Sequence, residues 1–514
     1  MKTTTHVLIA IFAPTLLALS ACAPQDQGTT ETAAAPMAAP EPAPAPAPAP
    51  EPSVLADDID DRLAARSAPR LGAGVEAPSF VVDPSWPKPL PNNWRIGQVG
   101  GIAVDSDDNI WVYHRPRSLS RSASSGLGVA GTNADGVPVD GLGNPRPFYD
   151  QASGCCVPAP SVLKFNRDGD LLDAWGGPQD PGFLENNCRE DEGCFWPGRE
   201  HGLYVDDEDY VYISGNGTNF TGQFPWAATY GDDSHILKFT AEGEFVWQMG
   251  YAGMEGPDSE NIDQGPNGTP QPYLVADFSI DEDTDRLYVA DGYGNRRILV
   301  ADTETGLYVG HFGAYGQNPV DDPEGTDIDP YNAGPWISDY RSGNTTPMFF
   351  RSPLHCAVVS DDGFLYACDR GNNRVQVFNV TEIGGECANP NAEEGQCGFV
   401  REVLIAPEAY SNGTAVTAAL STDPEQSCLY VGDLANGTFY IINRENMTEL
   451  DRIGRAGRQV GEFHWIHAIA VDSDGNMYTG EVDTGQRIQK FQRYGPTGCS
   501  GVGAAEIGLY SANR

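Results

Sequence analysis

Helical periodicity is nearly absent from this chain, which excludes a helix bundle. Long apolar runs are scarce as well. The one near the N-terminus, Val7 to Leu19, is too short to span a bilayer, and no other segment approaches it. Positive charge is in short supply: 31 Lys and Arg stand against 72 Asp and Glu, a net charge of −41. So acidic a chain is not expected to bind nucleic acid or an anionic lipid surface. Solubility in a salty medium accounts for the imbalance, and a metal site set in this field still attracts cations. No Cys-x-x-Cys-His occurs, which argues against c-type haem. The acidic turns, such as Asp472-Ser-Asp-Gly-Asn476, lack the glycine and terminal glutamate spacing of an EF-hand, so they read as hairpin turns.

What is present begins with a leader. Lys2 precedes the apolar run and Leu19-Ser20-Ala21-Cys22 follows it, which resembles a bacterial lipoprotein signal over 1–21 with Cys22 lipidated after cleavage. The expectation is an exported bacterial lipoprotein of the outer membrane, periplasm or cell surface, tied to a membrane only through that anchor. Residues 22–75 are rich in Ala and Pro and cannot bury enough apolar surface to fold, so they read as a disordered, extended tether. Ten of the 11 cysteines follow Cys22, an even number that suggests disulfides in an exported chain. Cys188 with Cys194, and Cys387 with Cys397, are spaced to close short loops, and Cys356 and Cys368 lie on the two arms of one hairpin. Cys155, Cys156, Cys428 and Cys499 are left, and spacing does not pair them.

Residues 76–514 are organised by a recurring phrase. Gly101 to Tyr113 reads Gly-Ile-Ala-Val-Asp-Ser-Asp-Asp-Asn-Ile-Trp-Val-Tyr, a β-branched run, an acidic turn and a second β-branched run. The phrase returns from His201, Asp277, His355 and His467, with a degenerate copy over Ala418 to Val431. Each copy reads as a hairpin, and third and fourth strands follow in most of them. Six units of four antiparallel strands predict an all-β fold, a six-bladed β-propeller. Phe80-Val-Val-Asp83 is a lone strand that can complete the last blade and close the ring.

Aligned on the first turn residue, the position five earlier is Gly100, His201, Ala276, His355, Thr417 and His467. Histidine fills alternate copies and no others, in a chain with eight histidines. Alternate blades of a six-membered ring lie ~120° apart, so the three imidazoles converge on the axis. Three neutral imidazoles with an open position describe a catalytic site for Zn²⁺ or another divalent transition metal. Five insertions, 116–158, 177–199, 216–233, 251–273 and 314–350, fall on the histidine face, and 381–400 falls opposite. Insertions on one face build a walled pocket over the axis, which suits a small-molecule or peptide substrate. Arg115, Tyr293 and Arg370 end second strands on the same face. An arginine there can orient a carboxylate, and a tyrosine beside a metal can act as a base. His464 stands close enough in sequence to support the triad or to lie on the surface.

These residues resemble NHL repeats, and the larger pattern resembles peptidyl-α-hydroxyglycine α-amidating lyase over about 80 to 495. The carrying motifs are His114-Arg115, Glu200-His201-Gly202-Leu203, Asp291-Gly292-Tyr293-Gly294-Asn295, Leu354-His355, Cys368-Asp369-Arg370-Gly371-Asn372 and His467. The resemblance implies zinc on His201, His355 and His467, Tyr293 as the catalytic base, and arginines at 115 and 370. It implies cleavage of a C–N bond to give an amide and glyoxylate. Ala468 stands where the family has a calcium-ligating aspartate, which argues against the family's structural Ca²⁺. Trp465 replaces a methionine and Gly294 a cysteine. Two other readings of the same ring are a metal-dependent hydrolase or lactonase and a non-enzymatic binding propeller.

Overall fold

The computed structural model describes residues 74–119, 131–132, 138–139, 157–177, 188–189, 192–218, 232–254, 261–319, 348–380, 398–407, 409, 413–503, 505–506 and 509–511. The leader, Cys22, the tether, Cys155, Cys156, Cys387, Cys397 and much of the insertions lie outside these residues.

The fold is all-β, a six-bladed propeller. Blade one is built from Gln98–Val104, Ile110–Arg115, Val162–Phe165 and Leu171–Trp175. Blade two follows with Glu200–Val205, Val211–Gly215, Ile236–Phe239 and Phe245–Met249. Blade three holds Asp277–Asp281, Arg286–Asp291, Arg297–Asp302 and Tyr308–Phe312. Blade four holds Leu354–Val359, Phe364–Asp369, Arg374–Asn379 and Phe399–Leu404, with Leu509–Ser511 added at its outer edge. Blade five holds Ala415–Leu420, Cys428–Asp433, Thr438–Asn443 and Thr448–Ile453, with Ala505–Glu506 outside. Blade six joins Ile466–Val471, Met477–Glu481 and Arg487–Tyr494 to Ser79–Asp83, which pairs antiparallel with Arg487–Tyr494. The lone N-terminal strand therefore closes the ring. The two added outer strands carry no periodic signal strong enough to read from sequence.

Burial explains the strand composition. Inner strands are covered on both faces by neighbouring blades, and Ile110–Arg115 and Thr438–Asn443 are buried at every position. Fourth strands meet solvent, and Leu171–Trp175 is half exposed. Each seam between neighbouring blades is filled by a buried apolar cluster, as where Leu203, Val211 and Ile213 of blade two meet Trp111, Tyr113 and Val162 of blade one. Full burial of a side chain of this size contributes about 1.5–3 kcal/mol.

The acidic turns are held by their own side chains. Asp105 Oδ1 accepts the Asn109 backbone N–H at 2.7 Å, and Trp111 Nε1 donates to its Oδ2 at 2.9 Å. Asp206 and Asp472 accept from Tyr212 and Tyr478 in the same way, both at 3.0 Å. In blade five the turn starts at Ser421, whose N–H bonds the Cys428 carbonyl. The alignment that puts Thr417 five residues before this turn counts from Thr422 instead, because the longer turn displaces the count by one residue.

Three disulfides occur among the described residues: Cys188–Cys194, Cys356–Cys368 and Cys428–Cys499. The first two match the sequence reading, and the third ties blade five to the chain beyond blade six. Such bridges belong to a chain that matures in an oxidising compartment.

Candidate metal centre

The first strand of each blade lines the axis. In five of the six blades that strand carries a bulge at its start: between Val99 and Gly101, Glu200 and Leu203, Leu354 and Cys356, Ala415 and Thr417, and Ile466 and Ala468. A bulge takes one residue out of the ladder and re-aims its side chain. The residues so displaced include His201, His355 and His467. In blade five the displaced residue is Val416, so Val416 and not Thr417 is the counterpart of the histidines.

The three imidazoles meet on the axis. Their ring centroids are 4.5 Å apart for His201 and His467, 4.9 Å for His355 and His467, and 5.0 Å for His201 and His355. Each ring is anchored to the next blade by a backbone carbonyl. His201 Nδ1 lies 2.5 Å from the Ala276 oxygen and His467 Nδ1 2.9 Å from the Gly100 oxygen. The His355 ring bonds the Val416 carbonyl, and because its Nε2 faces Tyr293 that bond falls to Nδ1. A carbonyl only accepts, so each Nδ1 carries the proton and each Nε2 presents a lone pair.

This arrangement fits a metal. His467 Nε2 and His201 Nε2 are 3.1 Å apart with no proton to share, an arrangement that repels unless a cation lies between them. Ligand atoms of the three histidines all lie within 4.8 Å of one another, and all three residues are buried. Tetrahedral nitrogen ligands at zinc distances stand about 3.3 Å apart. Burial holds all three imidazoles well below the usual histidine range, and neighbouring groups that would oppose a positive ring lower them further: the partner rings and Arg115 for His201, Arg370 for His355, and His355 and Arg115 for His467. Neutral imidazole is the ligand form, so the site is set to bind a cation instead of a proton. Among the described residues no other group of three potential ligands is brought together.

Tyr293 joins the triad. Its Oη lies 3.0 Å from His355 Nε2 and 3.3 Å from His201 Nε2, and Arg370 Nη1 donates to it at 3.1 Å. The loop carrying Tyr293 is fixed by Asp291, which takes Asn295 Nδ2 at 2.8 Å and Arg297 Nε at 2.9 Å. A side chain at Gly292 would drive its Cβ to 1.8 Å from the Leu354 oxygen, so only glycine lets this loop approach blade four. Asp369, with Asn372 Nδ2 at 2.8 Å and Arg374 Nε at 2.7 Å, does for Arg370 what Asp291 does for Tyr293. The aspartates are structural ties, and the residues after them face the centre.

Arg115 is 1% exposed. Its Nε donates to the Glu200 carbonyl at 2.6 Å and its Nη1 to Gln98 Oε1 at 2.8 Å, and its charge acts on all three imidazoles. His464 does not support the triad: its Nε2 meets Thr484 Oγ1 at 2.9 Å and Arg458 Nη2 at 3.1 Å on the rim. Sequence reasoning missed Gln98 and Asp233. Asp233 accepts the backbone N–H groups of Gly198, Arg199 and Gly217 and so holds the chain leading into His201.

Behind the imidazoles, on the side of the hairpin turns, an axial cavity of about 570 Å³ is lined by the first strands, with Asp361 and Asp423 at its far end. The walled pocket expected on the other face involves insertions largely outside the described residues. Ala468 lines the axial cavity.

A family profile for the NHL repeat matches residues 352–378, the part of blade four that carries His355 and Arg370. The chain is 23% identical over 400 residues to peptidyl-glycine alpha-amidating monooxygenase B of Xenopus laevis, covering 78% of this chain and 34% of that protein. It is 27% identical over 399 residues to peptidyl-glycine alpha-amidating monooxygenase A of the same organism, covering 78% and 32%. The chain thus spans about a third of the length of the curated relatives it matches. It is a six-bladed propeller with an NHL-repeat match in blade four, homologous to part of these amidating proteins.

Proposed function

We propose that this chain is an exported, metal-dependent lyase that cleaves the C–N bond of an α-hydroxyglycine-type substrate to an amide and glyoxylate. The observation that carries the reading is the convergence of three buried imidazoles, two of which present Nε2 to Tyr293 Oη, itself in contact with Arg370. The similarity to amidating monooxygenases supports the same chemistry. His201, His355 and His467 would hold the ion, zinc being the best match to three imidazoles. Bound there, it would supply Lewis-acid stabilisation of negative charge on an adjacent oxygen.

The chain's own residues account for the rest. Arg115 and Arg370 flank the centre as cations and suit the substrate carboxylate. As the phenolate, which the Arg370 guanidinium favours, Tyr293 is placed to take the proton of the hydroxyl. As the C–N bond breaks, its electron pair leaves on nitrogen, the hydroxyl oxygen becomes the aldehyde of glyoxylate, and the proton held by Tyr293 passes to the departing amide. Atoms balance without a further reagent.

The three disulfides support export, and the Leu19 to Cys22 motif supports a lipid anchor on Cys22. Glyoxylate release from N-benzoyl-α-hydroxyglycine tests the reaction. Metal-replete wild type is expected to release it, and His355→Ala to lose at least about 10²-fold in rate. Metal-replete wild type that releases none rules the reaction out. Hydrolysis of esters or lactones in its place favours the hydrolase reading.

A further inference from the structure

The register that places Arg115 in blade one and Arg370 in blade four places Asn216 in blade two. Just before the bulge of each first strand, Val99 pairs with His114, Glu200 with Gly215 and Leu354 with Asp369, and the next residues are Arg115, Asn216 and Arg370. All three follow directly on the second strand or close it, at the histidine end. Asn216 therefore stands in the ring between Arg115 on one side and Tyr293 on the other, beside the strand that carries His201. Its two counterparts both send charge to the imidazoles.

Asn216 is 4% exposed, and among the described residues neither its Oδ1 nor its Nδ2 has a hydrogen-bond partner. A buried amide left without partners is costly, and native proteins keep one only where something else satisfies it. A carboxamide offers an acceptor and donors side by side. The matching chemistry is another amide, whose N–H and C=O can pair with both; a carboxylate would use only the donors.

We propose that Asn216 binds the amide group of the substrate. This deepens the lyase reading and rests on it. The amide nitrogen of an N-acyl-α-hydroxyglycine is bonded to the carbon that bears the hydroxyl. With the hydroxyl at Tyr293 and the carboxylate at the arginines, the amide falls in the sector between them that Asn216 occupies. The substrate class is then N-acylated, and simple 2-hydroxy acids are bound without help from this residue. Asn216 is a specificity residue, and its contact strengthens as charge moves onto the departing amide.

Binding separates this proposal from the activity. Hippurate carries an amide and a carboxylate; mandelate carries a hydroxyl and a carboxylate without an amide. Calorimetric titration of metal-replete wild type and Asn216→Leu with each ligand gives four affinities. The expected result is about a tenfold or greater loss of hippurate affinity in the variant, with mandelate changed less than about twofold and the thermal midpoint not lowered. Equal hippurate affinity in the two proteins, meaning that a water alone satisfies the amide, overturns the proposal. So does an equal loss for both ligands, or no hippurate binding to wild type. Absence of glyoxylate release would remove the reaction while leaving this binding test intact.

Discussion

One backbone carbonyl per imidazole decides what this centre can bind. Because Ala276, Val416 and Gly100 fix the proton on each Nδ1, the three Nε2 atoms keep lone pairs that can hold an ion. The histidines themselves were legible in the sequence, since they recur at one repeat position in alternate copies. Their carbonyl partners were not, because any residue supplies a carbonyl and only the bulges aim it. A different buried histidine gives a pH test. Burial pushes His114 down to about 3, and Gly97 N–H donates to its Nδ1, which must therefore be unprotonated. The unfolded chain protonates this group below about 6.5. Its contribution to stability is complete above that pH and is lost as pH falls toward 3, at about 1.4 kcal/mol per pH unit. His114→Asn keeps an acceptor toward Gly97 and removes the titration. Denaturant unfolding at pH 7, 6 and 5 should show a slope of stability against pH shallower by about that amount in the variant. Parallel slopes would mean His114 is charged in the fold.

At the scale of the hairpin, blade four carries the densest information. Cys356 and Cys368 face each other across its first two strands, one residue after His355 and two before Arg370. A single covalent tie thus spans the base of His355 and the base of Arg370, the proposed ligand and the proposed substrate-binding arginine. A loop of this size contributes about 3 kcal/mol through the unfolded chain. The double variant Cys356→Ala, Cys368→Ala should lose about that much stability in the metal-free protein. It should also bind zinc about tenfold more weakly in a chelator competition, because the ligand strand is less firmly held. Unchanged zinc affinity would show that the bulge alone positions His355. The hairpins were readable from alternating apolar residues, as was the Cys356–Cys368 bridge. The blade-five register was misread by one residue, since a longer turn between Ser421 and Cys428 leaves the alternation unchanged while moving its origin.

Over the whole ring, function depends on closure. Ser79–Asp83 joins Arg487–Tyr494, so the sixth blade is complete and His467 is held at its place on the axis by Gly100 of the first blade. Blade number and closing strand followed from counting repeats. The outer strands Ala505–Glu506 and Leu509–Ser511 did not, because two- and three-residue pairings leave no pattern. The central claim is that the ring brings three imidazoles to one cation. Elemental analysis of protein purified without chelator and incubated with zinc tests it directly, with His355→Ala prepared in parallel. The account predicts one transition-metal ion per wild-type chain and less than about a tenth of that in the variant. A metal-free wild type, or a variant that keeps its full equivalent, would contradict it.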